Sequence, residues 1–385
     1  MRSDYRQAAR AAVATGFMLS GAGFASWVVR IPDAQQRLDL SEGTLGLTLL
    51  GMSAGGFLAM PLSAALIARF GSRRVAIAAT LCLAAAVTGP AQAPTPLLLA
   101  LVLLVLGGAS SVMAVALNSQ AAEVERRMAR PIMAGMHALF SLGGLIGAGI
   151  GGLVADAGIG ADVHLGVAGL AIAAVALALR PFLLPREPDP GSAPSARALP
   201  ARPLLLLGLV AFCVLFSEGA VADWSTIYLR DSAGAGPAQA AAGYAAFSLM
   251  MAAGRLVGDA LTLRLGPARL VRLGGATAAM GIALAVTGNE PWIAIAGFGL
   301  VGAGLSSVFP TLIAAAGRTP GAPASSSIAF VSSIGYAGLL AGPPLIGMIG
   351  EALSLHAGVA TIGSRGCSSR HWRGSWRLLS NLLSP

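Results

Sequence analysis

Two carboxylates and one guanidinium stand where water should be scarce. Glu218 sits in PLLLLGLVAFCVLFSEGAVADW, an apolar run from 203 to 224, and Asp223 follows five residues on. Read as a helix, the run carries Glu218 about fifteen residues, or roughly 22 Å at ~1.5 Å per residue, from its starting edge. An ionised carboxylate at such depth in hydrocarbon is costly, so the chemistry it favours is reversible protonation, switched by substrate or by conformation. The bland alternative is a carboxyl hydrogen-bonded to a neighbouring helix. Asp223 falls nearer the far mouth of the run, where it either meets water or shares the proton-coupling role. Arg255 and Asp259 are spaced i and i+4 in a later apolar run and can pair on one helix face.

Other side chains offer binding rather than proton transfer. Trp27, Trp224 and Tyr228 lie near the ends of apolar runs, where aromatic residues commonly anchor a helix at the lipid–water interface; two indoles facing one cavity would instead stack on a sugar ring. Asn118 and Gln120 end a fourth run and either contact substrate hydroxyls or cap the helix. Ser332, Ser333 and Tyr336 are further hydroxyl donors, and His137 is a lone histidine in a glycine-rich run.

Several chemistries are excluded. Cys82, Cys213 and Cys367 are far apart, which gives neither a disulfide framework nor a zinc spacing. No H-E-x-x-H occurs and no paired carboxylates stand within one apolar run at catalytic spacing, so no catalytic residues, metal or cofactor are expected. The run Gly147-Ala148-Gly149-Ile150-Gly151-Gly152 imitates a phosphate loop, but no strand precedes it and the chain contains no Lys.

The elements that must position these residues follow from composition. With 56% hydrophobic and 11% charged residues and a mean hydropathy of +0.76, the chain is too apolar to present a charged surface to water. It reads as an all-α, polytopic membrane protein. A helix needs about 20 apolar residues to cross the ~30 Å hydrocarbon layer. Runs of that size fall near 9–29, 44–67, 75–93, 97–118, 131–154 and 163–184, then near 203–222, 239–263, 270–288, 291–316 and 325–350.

Between the two groups lies RPFLLPREPDPGSAPSARALPAR, whose six prolines and scattered charges mark a solvated linker. The flanks match in order. Arg69-Phe70-Gly71 corresponds to Arg264-Leu265-Gly266, Trp27 to Trp224, Ser110-Ser111-Val112 to Ser306-Ser307-Val308, and Gly143 and Gly147 to Gly338 and Gly342, at offsets of 195 to 197. This order indicates an internal duplication. The expected units are an N-terminal six-helix bundle over 1–185, a linker over 186–202, a C-terminal bundle over 203–352 and a basic tail over 353–385.

The net charge of +9 rests on arginine. A nucleic-acid binder would gather its arginines with aromatics on a polar face, whereas these fall in short clusters between apolar runs. Arg2, Arg6 and Arg10, then Arg69, Arg73 and Arg74, Arg126, Arg127 and Arg130, the linker arginines, and Arg264, Arg269 and Arg272 share one side; the alternate loops hold Arg30, Arg37 and Arg230. The positive-inside rule therefore puts the N-terminus and the linker in the cytoplasm, with an uncleaved first span in a bacterial cytoplasmic membrane.

These halves resemble the major facilitator superfamily of secondary transporters. Its signature in the turn after the second span is G-x-x-x-D-R-x-G-R-R; here Arg69, Gly71 and Arg73 remain, while Ala64, Ala68 and Ser72 replace the other members, so the acidic member of the family's charge lock is missing. SGAGFASWVVRIP and SEGAVADWSTIYLR further resemble a sugar-permease-like branch that includes bacterial rhizopine-transport membrane proteins. The resemblance implies a central cavity lined by the first, fourth, seventh and tenth spans, two halves that rock about it, and adjoining fifth and eighth spans. Arg255 would then meet His137 or an anionic substrate, or form a gating ion pair with Asp259. Gly143, Gly147 and Gly151, with Gly338 and Gly342, would let helices cross closely.

The resulting expectation is a monomeric, proton-coupled carrier of a small polar solute, sugar- or polyol-like, with the lipid bilayer and protons as its other partners. An efflux antiporter is the first alternative, since Gly143, Gly147, Gly151 and Gly152 resemble the family's antiporter signature with Ala148 in place of its Pro. A non-functional relic is the second, because the duplication demands a twelfth span near 355–378, where Arg365, Arg370, Arg373 and Arg377 stand. Each arginine would cost about 2.5–3.5 kcal/mol at the helix centre. The twelfth span is therefore read as lost, through a frameshift or as an amphipathic tail lying on the membrane surface. Resequencing the 3′ end decides between these: a frameshift predicts hydrophobic codons in another reading frame, and their absence supports the amphipathic tail.

Overall fold

Hydrocarbon offers no hydrogen-bond partner, so a chain crossing it must satisfy each backbone N–H and C=O internally, which a helix does within one segment. The computed structural model describes residues 3–128, 132–185, 202–288, 290–319 and 324–364, and the regular structure among them is helical throughout. The first half contains α1 (Ser3–Val28), α2 (Ile31–Leu38), α3 (Glu42–Phe70), α4 (Ser72–Ala86), α5 (Pro96–Met128), α6 (Met133–Asp156) and α7 (Ala161–Leu179). The second contains α8 (Arg202–Ile227), α9 (Pro237–Leu265), α10 (Pro267–Thr287), α11 (Pro291–Leu305), α12 (Val308–Gly317), α13 (Ala324–Ala352) and α14 (Leu355–Ser364). Eleven stretches are long and apolar enough to cross a membrane, with α1–α2 and α11–α12 each forming one of them.

Packing repeats between the halves. In the first, α1 packs on α6, α3 and α4 on α5, and α7 on α4; in the second, α8 packs on α13, α9 and α10 on α11, and α14 on α10. The halves meet through α6 with α9 and α3 with α13. The matched turns have matched backbones: Gly71 has φ 82 and ψ 147, Gly266 has φ 77 and ψ 151. A positive φ suits glycine, whose missing Cβ removes the clash that other residues meet there. Each glycine ends one long helix and starts the next after a sharp reversal.

Glycine also sets how closely the helices cross. A side chain at Gly21 would strike the carbonyl of Phe140, and one at Gly143 would strike that of Met18, so α1 and α6 touch backbone to backbone. Gly338 does the same against Phe212 in the second half. Small residues at crossings let van der Waals contact replace the hydrophobic drive that lipid removes.

Two elements depart from the spacing expected above. The fourth span does not stop at Asn118 but runs on to Met128, carrying Glu123, Arg126 and Arg127 on a final stretch where the exposed Arg126 pairs with Glu123 at 2.7 Å. The tenth is broken at Ser306-Ser307 between α11 and α12, and there Ser307 Oγ donates to the Gly254 carbonyl of α9 at 3.3 Å. The matching Ser110 and Ser111 leave α5 unbroken.

Residues 186–201, which hold nearly all of the expected linker, lie outside the described residues, as do 365–385. Before them, α14 occupies the place in the second half that α7 has in the first, packed on α10 and α13, so helical order reaches beyond residue 353.

Gln120 is buried, 1% exposed, and clasps three segments: its Nε2 donates to Ser72 Oγ at 2.7 Å and to the Leu184 carbonyl at 3.1 Å, and its Oε1 accepts from Leu184 N at 2.9 Å. It is thus neither a terminal cap nor a cavity residue. Gln120→Leu leaves these partners buried without a bond and should cost about 1–3 kcal/mol, read as a lower unfolding midpoint of the detergent-purified protein; an unchanged midpoint would show that the clasp contributes nothing.

Candidate functional site

Between the two halves lies a cavity of about 390 Å³. Ser20 and Phe24 reach it from α1, Ser53 and Phe57 from α3, Ser111 and Asn118 from α5, and Phe140 and Ser141 from α6. The second half contributes Glu218 and Asp223 from α8, Tyr244, Ser248 and Arg255 from α9, and Tyr336 from α13. No residue of α11 or α12 lines it; α9 and α13 form that wall instead. The expected first, fourth and seventh spans are present in the lining, and the tenth is not.

Glu218 and Asp223 are five residues apart, so they point about 140° apart around an α-helix. Both reach the cavity because it wraps around α8, passing Gly219 and Ala222 between them. Neither carboxylate has a hydrogen-bond or ion-pair partner among the described residues. They are two acidic groups held inside a membrane-spanning bundle and facing its cavity, with no ion pair among the described residues.

Arg255 faces this pair from the other side. Its Nη1 donates to Ser141 Oγ at 2.8 Å and to the His137 carbonyl at 3.4 Å, both across the interface between the halves. No ion pair joins it to Glu218. The expected meeting with His137 thus occurs through the backbone, while the imidazole lies edge-on to Phe17 at 5.4 Å. Asp259 lies one turn further along α9; its side chain is outside the described part. Asn118 lines the cavity and donates its amide N–H to the Ala114 carbonyl at 2.9 Å. Tyr336 also lines it.

Other expected residues lie elsewhere. Trp27 and Trp224 are 1% and 0% exposed and do not line the cavity. Trp224 packs where α3 crosses α13, close to the point at which a side chain on Gly347 would strike the Glu42 carbonyl. Tyr228 is also buried; its hydroxyl donates to the Ala285 carbonyl at 3.0 Å, and its ring meets His356 and Phe298. Arg69 sits in the last turn of α3 with its guanidinium 5.2 Å from the Phe70 ring centroid. Gly143 and Gly147 serve the α1–α6 crossing, while their neighbours Gly144 and Gly152 face α9.

Tyr244 and Ser248 were not singled out from the sequence. They follow one another at i and i+4 on α9, and together with Arg255 they form a polar stripe that helical periodicity would have shown had the facing helix been known. Phe24, Phe140 and Phe247 give the cavity apolar and aromatic walls between its hydroxyls. Such a lining, mostly apolar with few polar groups, suits a small organic solute.

A duplicated helical bundle enclosing a central cavity between its halves is the architecture of a membrane transporter. The Major Facilitator Superfamily profile matches residues 13–343, and the chain belongs to that family. An uncharacterized MFS-type transporter of Yersinia pestis is 38% identical over 347 residues, covering 88% of each chain. The membrane protein MosC of Rhizobium meliloti is 32% identical over 344 residues, 89% of this chain and 84% of that one. Among solved structures, a bacterial homologue of the human lysosomal transporter Spinster, in an inward-facing and unoccupied conformation, superposes with a TM-score of 0.72 at 15% identity, covering 100% of this chain and 96% of that one. The nucleoside transporter NupG gives 0.69 at 13% identity, covering 97% of each. These two likenesses concern the fold.

Single cysteines at Ser111 and Tyr336, in a chain whose own cysteines are replaced by serine, should react with a water-soluble maleimide, whereas one at the fully buried Met113 should not. Equal reactivity at all three would contradict the cavity.

Proposed function

We propose that this protein is a proton-coupled secondary transporter of a small polar, sugar- or polyol-like solute, working by alternating access in a bacterial cytoplasmic membrane. The observation that carries the reading is Glu218: a carboxylate deep in α8, facing the cavity between the halves, with no partner among the described residues. Such a group exchanges a proton as the cavity changes its access to water. Asp223 is a second proton-accepting position on the same wall, and Arg255 belongs to the same half, so its bonds to Ser141 and the His137 carbonyl of the other half are the ones that change when the halves rock.

Substrate hydroxyls would be met by Asn118, Tyr244, Tyr336 and the serines at 53, 111 and 248, and a ring face by the phenylalanines around them. With the arginine-rich loops in the cytoplasm, the end that bears α2 faces outward. The crossing of α3 with α13 at Gly46 and Gly347 then closes the outer side. The aromatic and methionine content of the cavity walls favours a second reading, export of an amphiphilic solute in exchange for protons; the same carboxylates would serve it.

Glu218→Gln reconstituted in proteoliposomes should lose accumulation driven by a pH gradient while keeping counterflow exchange of the solute. Full pH-driven accumulation in that variant would remove Glu218 from the coupling step.

A further inference from the structure

We infer that Asp33 is a latch that holds the α2 end of the bundle closed, joined to Arg230 of the opposite half and braced by Arg30 of its own. Asp33 lies in the first turn of α2, and each of its oxygens has one arginine. Oδ2 accepts from Arg30 Nη1 at 2.8 Å, and Oδ1 accepts from Arg230 Nη1 at 3.0 Å. Arg230 belongs to the tight turn that follows α8, so the second bond crosses between the halves.

The brace is itself fixed. Arg30 is only 3% exposed, its Nε donates to His164 Nδ1 at 3.0 Å, and its Nη2 donates to the Ile159 carbonyl at 2.9 Å. All three bonds of this guanidinium stay within the first half. When the halves separate at this end, Asp33 therefore loses Arg230 but keeps Arg30, so no bare carboxylate is left behind. Arg230 is released into a water-accessible vestibule of about 860 Å³, lined also by Trp27, Gln36 and Asp162. A bond that breaks without stranding a buried charge can open and close repeatedly, unlike a buried pair whose loss leaves one partner uncompensated.

The internal repeat explains why these two residues meet. Asp33 and Arg230 are 197 residues apart, the same spacing as Trp27 and Trp224. They therefore occupy equivalent positions in the two copies. Positions related by a two-fold axis and lying close to it face each other, as in any isologous contact. Identical residues there would repel or merely touch; the duplication has diverged to opposite charges, and the contact became an ion pair. The inference rests on alternating access, but on neither the substrate nor proton coupling, so its outcome is separate from that of Glu218.

The test is a distance measurement by electron spin resonance on the full chain in lipid nanodiscs. Nitroxides are placed at Gln36 and Ser232, and the three native cysteines are replaced by serine. The unaltered protein should show mainly the short distance of the closed end. Asp33→Asn and Arg230→Gln should each raise the ratio of long-distance to short-distance populations about five- to tenfold, and the double variant should do no more than either alone, because both remove one bond. Arg37→Gln should leave the ratio unchanged, since Arg37 bonds the carbonyls of Ala93 and Pro90 within its own half. The bond shared by the two single variants is the one between Asp33 and Arg230; the Arg30 contact that Asp33→Asn also weakens lies within the first half. Unshifted distances in both single variants, additive shifts in the double variant, or an equal shift in Arg37→Gln would each overturn the latch. If Asp33→Asn fails to fold, Arg230→Gln alone decides from the other half.

Discussion

The carbonyl of Met18 lies so close to Gly143 that no Cβ fits between them, and this kind of contact governs the bundle. In lipid, apolar side chains gain little by leaving their surroundings, so helices associate where their backbones can approach and dispersion contacts become dense. Glycine supplies that approach at Gly21 and Gly143 between α1 and α6, at Gly51, Gly55 and Gly107 between α3 and α5, and at Gly281 and Gly297 between α10 and α11. Each half is thereby a tightly crossed unit.

The interface between the halves is built differently. Gly46 and Gly347 bring α3 onto α13, and Gly152 brings α6 onto α9, but polar side chains also cross there: Arg255 to Ser141, and Arg230 to Asp33. Hydrogen bonds across an interface that must open are more readily exchanged for water than a backbone crossing is for lipid. Backbone crossings occur both within each half and between α3 and α13, while the exchangeable side-chain bonds between the halves lie near the cavity and at the α2 end.

The cavity itself inherits its asymmetry from the second copy. Glu218, Asp223 and Arg255 all come from α8 and α9, whereas the first half contributes serines, Asn118 and phenylalanines. The break between α11 and α12 belongs to the same divergence: Ser307 turns to the α9 backbone, and the tenth span withdraws from the cavity that its counterpart α5 lines. Duplication supplied two equivalent frames, and substitution placed the charged groups of the cavity on one of them.

Composition and pattern alone determined that the chain is helical and membrane-spanning, because twenty-residue apolar runs have no other stable form in lipid. The repeat of Arg69-Phe70-Gly71 in Arg264-Leu265-Gly266 foretold two matched reversals, since a positive φ is written into glycine. Glu218 was legible as a carboxylate deep within a span because depth can be counted along one helix. Only the tertiary structure decided which faces look inward. Trp27 and Trp224 occupy matched positions yet lie buried outside the cavity, and Gln120 proved a clasp while Asn118, two residues earlier, faces the solute space. The pairing of Asp33 with Arg230, and the facing of Tyr244 and Ser248 toward the cavity, depend on contacts between residues far apart in the chain; the rotation of each helix about its axis is set by its neighbours, and no local pattern records it.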